Sequence, residues 1–130
     1  MLHHSRIHEL LEARAARTPE AVFLFEPGGT TTYAALQAMT ETAAQDLLAA
    51  GVRRTDRVVL VAENCAAHIA LLMACSRIGA WSCGVNARMS PGEIAAIAER
   101  ADARLCCFTT GASEAAGKHA QRAGAVPSAL

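Results

Sequence analysis

Six polar residues stand directly after apolar runs, and these are the positions at which the sequence could do chemistry. Glu63 and Asn64 follow Arg57–Ala62, Asn86 and Arg88 follow Ala80–Val85, and Thr109 and Thr110 follow Arg104–Phe108. If the runs are strands of one open parallel sheet, the six side chains gather beyond its carboxyl ends, where such sheets bind ligands. A guanidinium beside amide and hydroxyl groups suits a carboxylate or a phosphate. Two of the six have plainer uses as well. Asn64 reads first as a helix cap, and Arg88 as a surface or hairpin-facing charge.

Other chemistries lack partners. His68 could act as a general base, but no carboxylate stands three or four residues away, so it reads as a satisfied or half-exposed histidine. His3, His4 and His8 resemble a metal site by count alone. Cys65, Cys75, Cys83, Cys106 and Cys107 are odd in number, show no C-x-x-C spacing and lie within helical or strand runs, where a thiol behaves as a small apolar group. No G-x-S-x-G occurs, and the single lysine is Lys118. Gly28-Gly29 lacks the lysine of a phosphate loop and reads as a turn.

The elements that would position these residues can be read from spacing. Ser5 is a plausible N-cap for a short helix to Arg17, with Ile7, Leu10 and Leu11 at helical intervals. Ala21–Phe25 and Thr30–Thr32 flank a turn at Glu26–Gly29 and predict a hairpin. Thr32 caps a helix carrying Leu36, Met39, Ala43 and Leu47, and Gly51 stops it. Cys65–Ile78 is helical and apolar nearly all round, which predicts burial on several sides with too little chain to cover it. Ser90-Pro91-Gly92-Glu93 is a capping box opening a helix to Arg100. Ser113–Arg122 predicts a further helix, and residues 111–130 read as a poorly packed tail. Ala125–Leu130 stops where a parallel sheet would take another strand. The resulting fold class is α/β: a hairpin plus a βαβαβ parallel sheet flanked by helices, in a single unit over 1–130.

Composition narrows the function classes. The 130 residues carry 12 basic and 12 acidic side chains, a net charge of zero, with no basic run to concentrate phosphate, so nucleic-acid binding is not expected. No stretch approaches a membrane span and the N-terminus lacks a leader's apolar core, so the expectation is a cytoplasmic protein.

Three stretches together resemble the opening of AMP-forming acyl-CoA synthetases, in the adenylate-forming ligase superfamily. Thr32-Tyr33-Ala34-Ala35-Leu36 is similar to T-Y-x-x-L, and Gly51-Val52-Arg53-Arg54-Thr55-Asp56-Arg57-Val58 to G-V-x-x-G-D-R-V. Gly79-Ala80 with Asn86-Ala87-Arg88-Met89-Ser90 is similar to G-A-x-x-x-x-x-N-P/A-R-L-S. Thr55 for glycine and Ala87 for proline are expected to matter little. The resemblance implies a partial N-terminal subdomain of an enzyme that activates a carboxylic acid with ATP and Mg²⁺ to an acyl-adenylate, then transfers it to coenzyme A.

The family's phosphate loop, adenine motif, ribose-binding aspartate and catalytic lysine match no position here. The resemblance therefore implies no catalytic residue and no bound cofactor for this chain alone; Asn86 and Arg88 are its candidates for the substrate-cleft border. The alternatives from other classes are a small α/β interaction module, self-associating through a sheet edge or the apolar helix, and a cysteine-based redox protein.

Overall fold

Strand β3 (Arg57–Ala62) is apolar on both faces, and Val58, Val59, Leu60 and Val61 are each at most 1% exposed. Such a run belongs in the middle of a parallel sheet. The computed structural model, which describes residues 4–128, places it there, between β4 (Trp81–Asn86) and β5 (Ala103–Phe108), in the order β4-β3-β5 with both pairings parallel. Val58 and Leu60 pack on Leu47, Leu71, Ala74 and Cys75, from the layer of α2 (Tyr33–Ala49) and α3 (Ala66–Ile78), and on Val52 of the loop after α2. Val59 and Val61 pack on Ile94 and Ala116, from the opposite layer of α4 (Pro91–Arg100) and α5 (Glu114–Ala123). Helices thus cover both faces, as the alternating pattern predicts.

The N-terminal part is α1 (Ile7–Arg17) and an antiparallel hairpin of β1 (Val22–Glu26) and β2 (Gly29–Thr32), with a bulge at Phe23. Here the T-Y-x-x-L stretch is structural. The Thr32 hydroxyl accepts from the Ala35 amide at 3.1 Å, Tyr33 meets Phe23 edge-on at 5.3 Å with Arg14 over its ring, and Leu36 is fully buried with Leu11 and Ala70. This cluster joins α1 and the hairpin to α3. Its cover, added to the sheet, leaves only Arg77 exposed within α3, so the helix expected to lack material around it is packed by the chain's own elements.

Local details correct three expectations. Ser5 does not receive an amide; its N–H and hydroxyl donate to the Glu9 carboxylate, and α1 begins after Arg6. Asn64 is not the cap of α3. Cys65 holds the N-cap position without a side-chain bond, and the Ala66 amide donates instead to Glu26 of the hairpin at 3.1 Å. A carboxylate from 40 residues upstream thus meets the positive end of α3. Within 111–130, Ala116, His119 and Ala120 of α5 are buried, whereas 124–128 are exposed; Leu130 and residue 129 lie outside the described residues.

The third correction concerns Thr55. The chain turns into β3 with Thr55 at φ 70°, a left-handed conformation that a β-branched side chain resists. Its amide donates to the Gly79 carbonyl at 2.9 Å, so the surrounding turn holds it there. The departure from glycine is therefore consequential. Left-handed backbone costs about 1–2 kcal/mol, and glycine's extra freedom in the unfolded chain offsets roughly half of that. Thr55→Gly is expected to raise stability by about 1 kcal/mol, seen as a higher urea midpoint at constant m. A midpoint unchanged or lowered would show that the turn carries no strain.

Parallel topology brings the carboxyl ends of α2, α3 and α4 to the amino edge of the sheet, and arginines meet them. Arg53 donates to Leu48 O at 2.9 Å, Arg6 to Ser76 O at 3.4 Å and Arg57 to Ala101 O at 2.8 Å. These cations serve helix dipoles and orphan carbonyls. Among the described residues no helix is long and apolar enough to cross a membrane.

Candidate functional site

At the opposite edge of the sheet the chain leaves β3, β4 and β5, and an open cleft of about 560 Å³ lies between the loop after β3, the loop after β4 and the start of α5. Glu63 and Asn64 form one wall, Arg88 the second, and Ser113, Glu114 and Lys118 the third. The structure therefore brings three of the six sequence-predicted residues to one cavity. Arg88 is a surface charge: its Nε donates to Glu63 at 2.9 Å, with the guanidinium largely exposed and the carboxylate mostly covered.

The other three stand nearby in supporting roles. The Asn86 side-chain oxygen accepts from the Arg88 amide at 2.8 Å, forming the tight turn that presents Arg88. Thr109 is buried, and its hydroxyl accepts from the Glu63 amide at 3.2 Å. It holds the Glu63 backbone rather than lining the cleft. Thr110 is exposed and outside it.

The third wall was not anticipated, although its signals are in the sequence. Ser113 caps α5 through the Ala116 amide, and Lys118 pairs with Glu114 one turn earlier at 2.9 Å, an ordinary i,i+4 arrangement. Nothing local, however, says that α5 folds back over the sheet. His119, one residue further, is 8% exposed and donates or accepts at three sites; sequence reasoning passed over it.

Chemically, the cleft offers two cations and two carboxylates already facing each other. It can receive a ligand that carries both donors and acceptors. Among the described residues no three His, Cys, Asp or Glu side chains converge as a metal site. His68 lies against the glycine of β4, its Nε2 3.4 Å from where a Gly84 side chain would begin, and is outside the cleft. Of the N-terminal histidines, His8 binds Ser76 Oγ at 2.9 Å, His4 approaches Glu9, and His3 lies outside the described residues.

The thiols behave as core atoms. Burial pushes Cys75 up to about 11, and burial with the neighbouring Cys75 and Cys106 pushes Cys107 up to about 12. Cys106 is raised by burial too. None of these three is a nucleophile at neutral pH.

Known proteins with the same fold and sequence pattern define the family. Residues 11–129 match the family described as AMP-binding enzyme. The 2-hydroxy-7-methoxy-5-methyl-1-naphthoate--CoA ligase of Streptomyces carzinostaticus is 39% identical over 70 residues, 54% of this chain and 12% of that protein. The 4-coumarate--CoA ligase 2 of Oryza sativa subsp. japonica is 34% identical over 93 residues, 70% of this chain and 16% of that protein. The matched segments thus span less than a fifth of these relatives' length. Among solved structures, the inhibitor-bound N-terminal domain of FACL13 from Mycobacterium tuberculosis superposes with TM-score 0.75 at 26% identity, over 79% of this chain and 26% of that one. IdnL1 superposes with TM-score 0.74 at 31% identity, over 79% of this chain and 21% of that one. Fold, motif spacing and relatives agree, and the chain belongs to the AMP-binding enzyme family, as an N-terminal part of an adenylate-forming enzyme.

Proposed function

We propose that the chain supplies the opening α/β portion of an acid–thiol ligase acting on a carboxylic acid, with an aromatic acid as the first class to try. In that reaction the acid's carboxylate attacks the α-phosphorus of ATP and expels pyrophosphate. The thiol of coenzyme A then attacks the acyl carbon and AMP leaves. The carrying observation is the family match over nearly the whole chain, joined to relatives named as CoA ligases of naphthoate and 4-coumarate.

In this reading the residues here form scaffold and cleft border, with Asn86 and Arg88 at the edge of the substrate site, and the chain alone is inactive. Two features support that. Arg88 and Lys118 are each engaged by a carboxylate, Glu63 and Glu114, so neither is held ready for a triphosphate. The turn at Gly28-Gly29 carries no lysine to meet phosphate. Developing charge at phosphorus needs fixed donors and a metal ion, which the reading assigns to further polypeptide. A cytoplasmic setting, where ATP and coenzyme A are available, belongs to the same proposal.

The test is ATP–pyrophosphate exchange by the 130-residue chain with 4-coumarate and with a naphthoate, beside a chimera carrying residues 11–124 in place of the matching segment of the rice 4-coumarate ligase. The chain alone is expected to give no exchange and the chimera to retain it. Exchange by the chain alone would overturn its assignment as scaffold. A folded chimera that binds ATP but adenylates neither acid would overturn the ligase assignment. Self-association through β4, whose Trp81 is 67% exposed at an open strand edge, is the competing reading. Sedimentation over a range of concentrations distinguishes it, because a monomer throughout excludes it.

A further inference from the structure

His119 reaches from α5 to the loop that carries Arg88. Its Nε2 lies 3.0 Å from the Ala87 carbonyl and 3.1 Å from the Met89 carbonyl, the two peptide oxygens that flank Arg88. Its Nδ1 lies 3.2 Å from Nη1 of Arg122, a donor in the last turn of the same helix. One protonation state satisfies all three contacts: hydrogen on Nε2, donated to both carbonyls, and a bare Nδ1 accepting from Arg122. His119 is 8% exposed and its bond to the Ala87 carbonyl is buried, away from water, where leaving a carbonyl unmatched is costly.

What the loop would do without that bond can be read from its other contacts. The Arg88 amide donates to Asn86 Oδ1 and the Met89 amide to the Asn86 carbonyl, closing the turn locally, and Ala87 is fully buried with its amide on Ala62 O. Among the described residues Arg88 is held by Glu63 and by its own amide's bond to Asn86, and most of its side chain is in solvent. Among the described residues the hydrogen bonding of this turn to the opposite wall of the cleft runs through His119, 31 positions after Arg88, beside the apolar cluster that Ala87 and Met89 share with Ala115 and Ala116 of α5.

We propose that His119 is a positioning residue: it clamps the carbonyls on either side of Arg88 and so sets the guanidinium at the mouth of the cleft, tying the second wall to the third. That Arg88 meets a substrate there rests on the ligase reading; the clamp itself does not. Because α5 also supplies Glu114 and Lys118, the bond couples the separation of the two walls to this imidazole, alongside the apolar packing of Ala87 and Ala116.

Trypsin supplies the test, because the Arg88–Met89 peptide bond is its substrate and cutting it requires this turn to open. His119→Met keeps much of the volume and removes the donor; His119→Gln places an amide NH₂, two hydrogens, where Nε2 stands. Cleavage after Arg88, measured relative to cleavage after Arg100 in the same digest, is expected to rise about tenfold in the Met variant, as for the loss of one buried and one part-buried bond, and to return near the parent rate in the Gln variant. A parent-like rate in the Met variant, or a Gln variant cut as fast as Met, overturns the clamp. Should the Met variant fail to fold, the parent's imidazole ¹⁵N spectrum decides: hydrogen on Nε2 with a bare Nδ1 supports the proposal, and the opposite tautomer removes it. No acid or nucleotide enters any of these readouts, so the clamp and the ligase reading can fail separately.

Discussion

Leu36→Ala is expected to destabilise the chain by about 3 kcal/mol, within the roughly 2–5 kcal/mol range for a buried leucine truncated to alanine. Leu36 is 0% exposed and sits where α1, α2 and α3 meet, against Leu11 and Ala70, with Phe23, Tyr33 and Met39 at its margin. The site cannot collapse easily, because three helices fixed by the sheet and the hairpin surround it, so most of the cavity should persist. Urea unfolding followed by circular dichroism checks the value. A loss below about 1 kcal/mol would mean that the α1–hairpin unit packs only loosely on the rest, and that the T-Y-x-x-L stretch is no structural hub. Against a total that is marginal for a domain of this size, a 3 kcal/mol loss makes folding of the isolated chain conditional on temperature.

The second large effect is alkaline. Cys75 and Cys107 are held up to about 11 and about 12, against an ordinary value of 9.0, chiefly by burial. Above pH 9 the unfolded chain gives up these protons while the folded chain keeps them, so the folded state binds more protons and loses stability as pH rises. The contribution is fully present below pH 9 and is lost between there and pH 11–12. Between pH 8 and pH 10 each thiol accounts for about 1.4 kcal/mol, together roughly 2–3 kcal/mol. Cys107 is only partly covered at the residue surface, so the sum is an upper figure. Urea midpoints from pH 7 to 10.5 are expected to fall along that curve. Cys75→Ala with Cys107→Ala should lower stability near pH 7 through lost packing but flatten the fall, so that the two curves converge as pH rises. An equally steep fall in the double variant would assign it to other groups.

Both effects come from residues whose importance is visible at different levels. Leu36 stands in a helical row that begins at a cap, and its burial is legible from spacing alone. The strands, the hairpin, the capping box at Ser90 and the stop at Gly79, φ 78°, are equally local, because they depend on neighbours within a few positions. The gathering of Glu63, Asn64 and Arg88 at one edge was legible because parallel strands with helical crossovers all end at the same side of a sheet. Thr55 was misjudged for a related reason: its strain is a matter of one backbone angle, which residue type hints at only when glycine is the norm.

What no reading along the chain could supply was pairing over distance. Strand order, Glu26 at the start of α3, Arg88 against Glu63 and His119 under the Arg88 loop each join residues 24 or more positions apart. Local conformation follows from sterics and hydrogen bonds inside a few residues, so sequence settles the elements and their polarity. Which side chains meet follows from burying two helix layers against one sheet, a free-energy balance over the whole chain, and that only the folded molecule resolves.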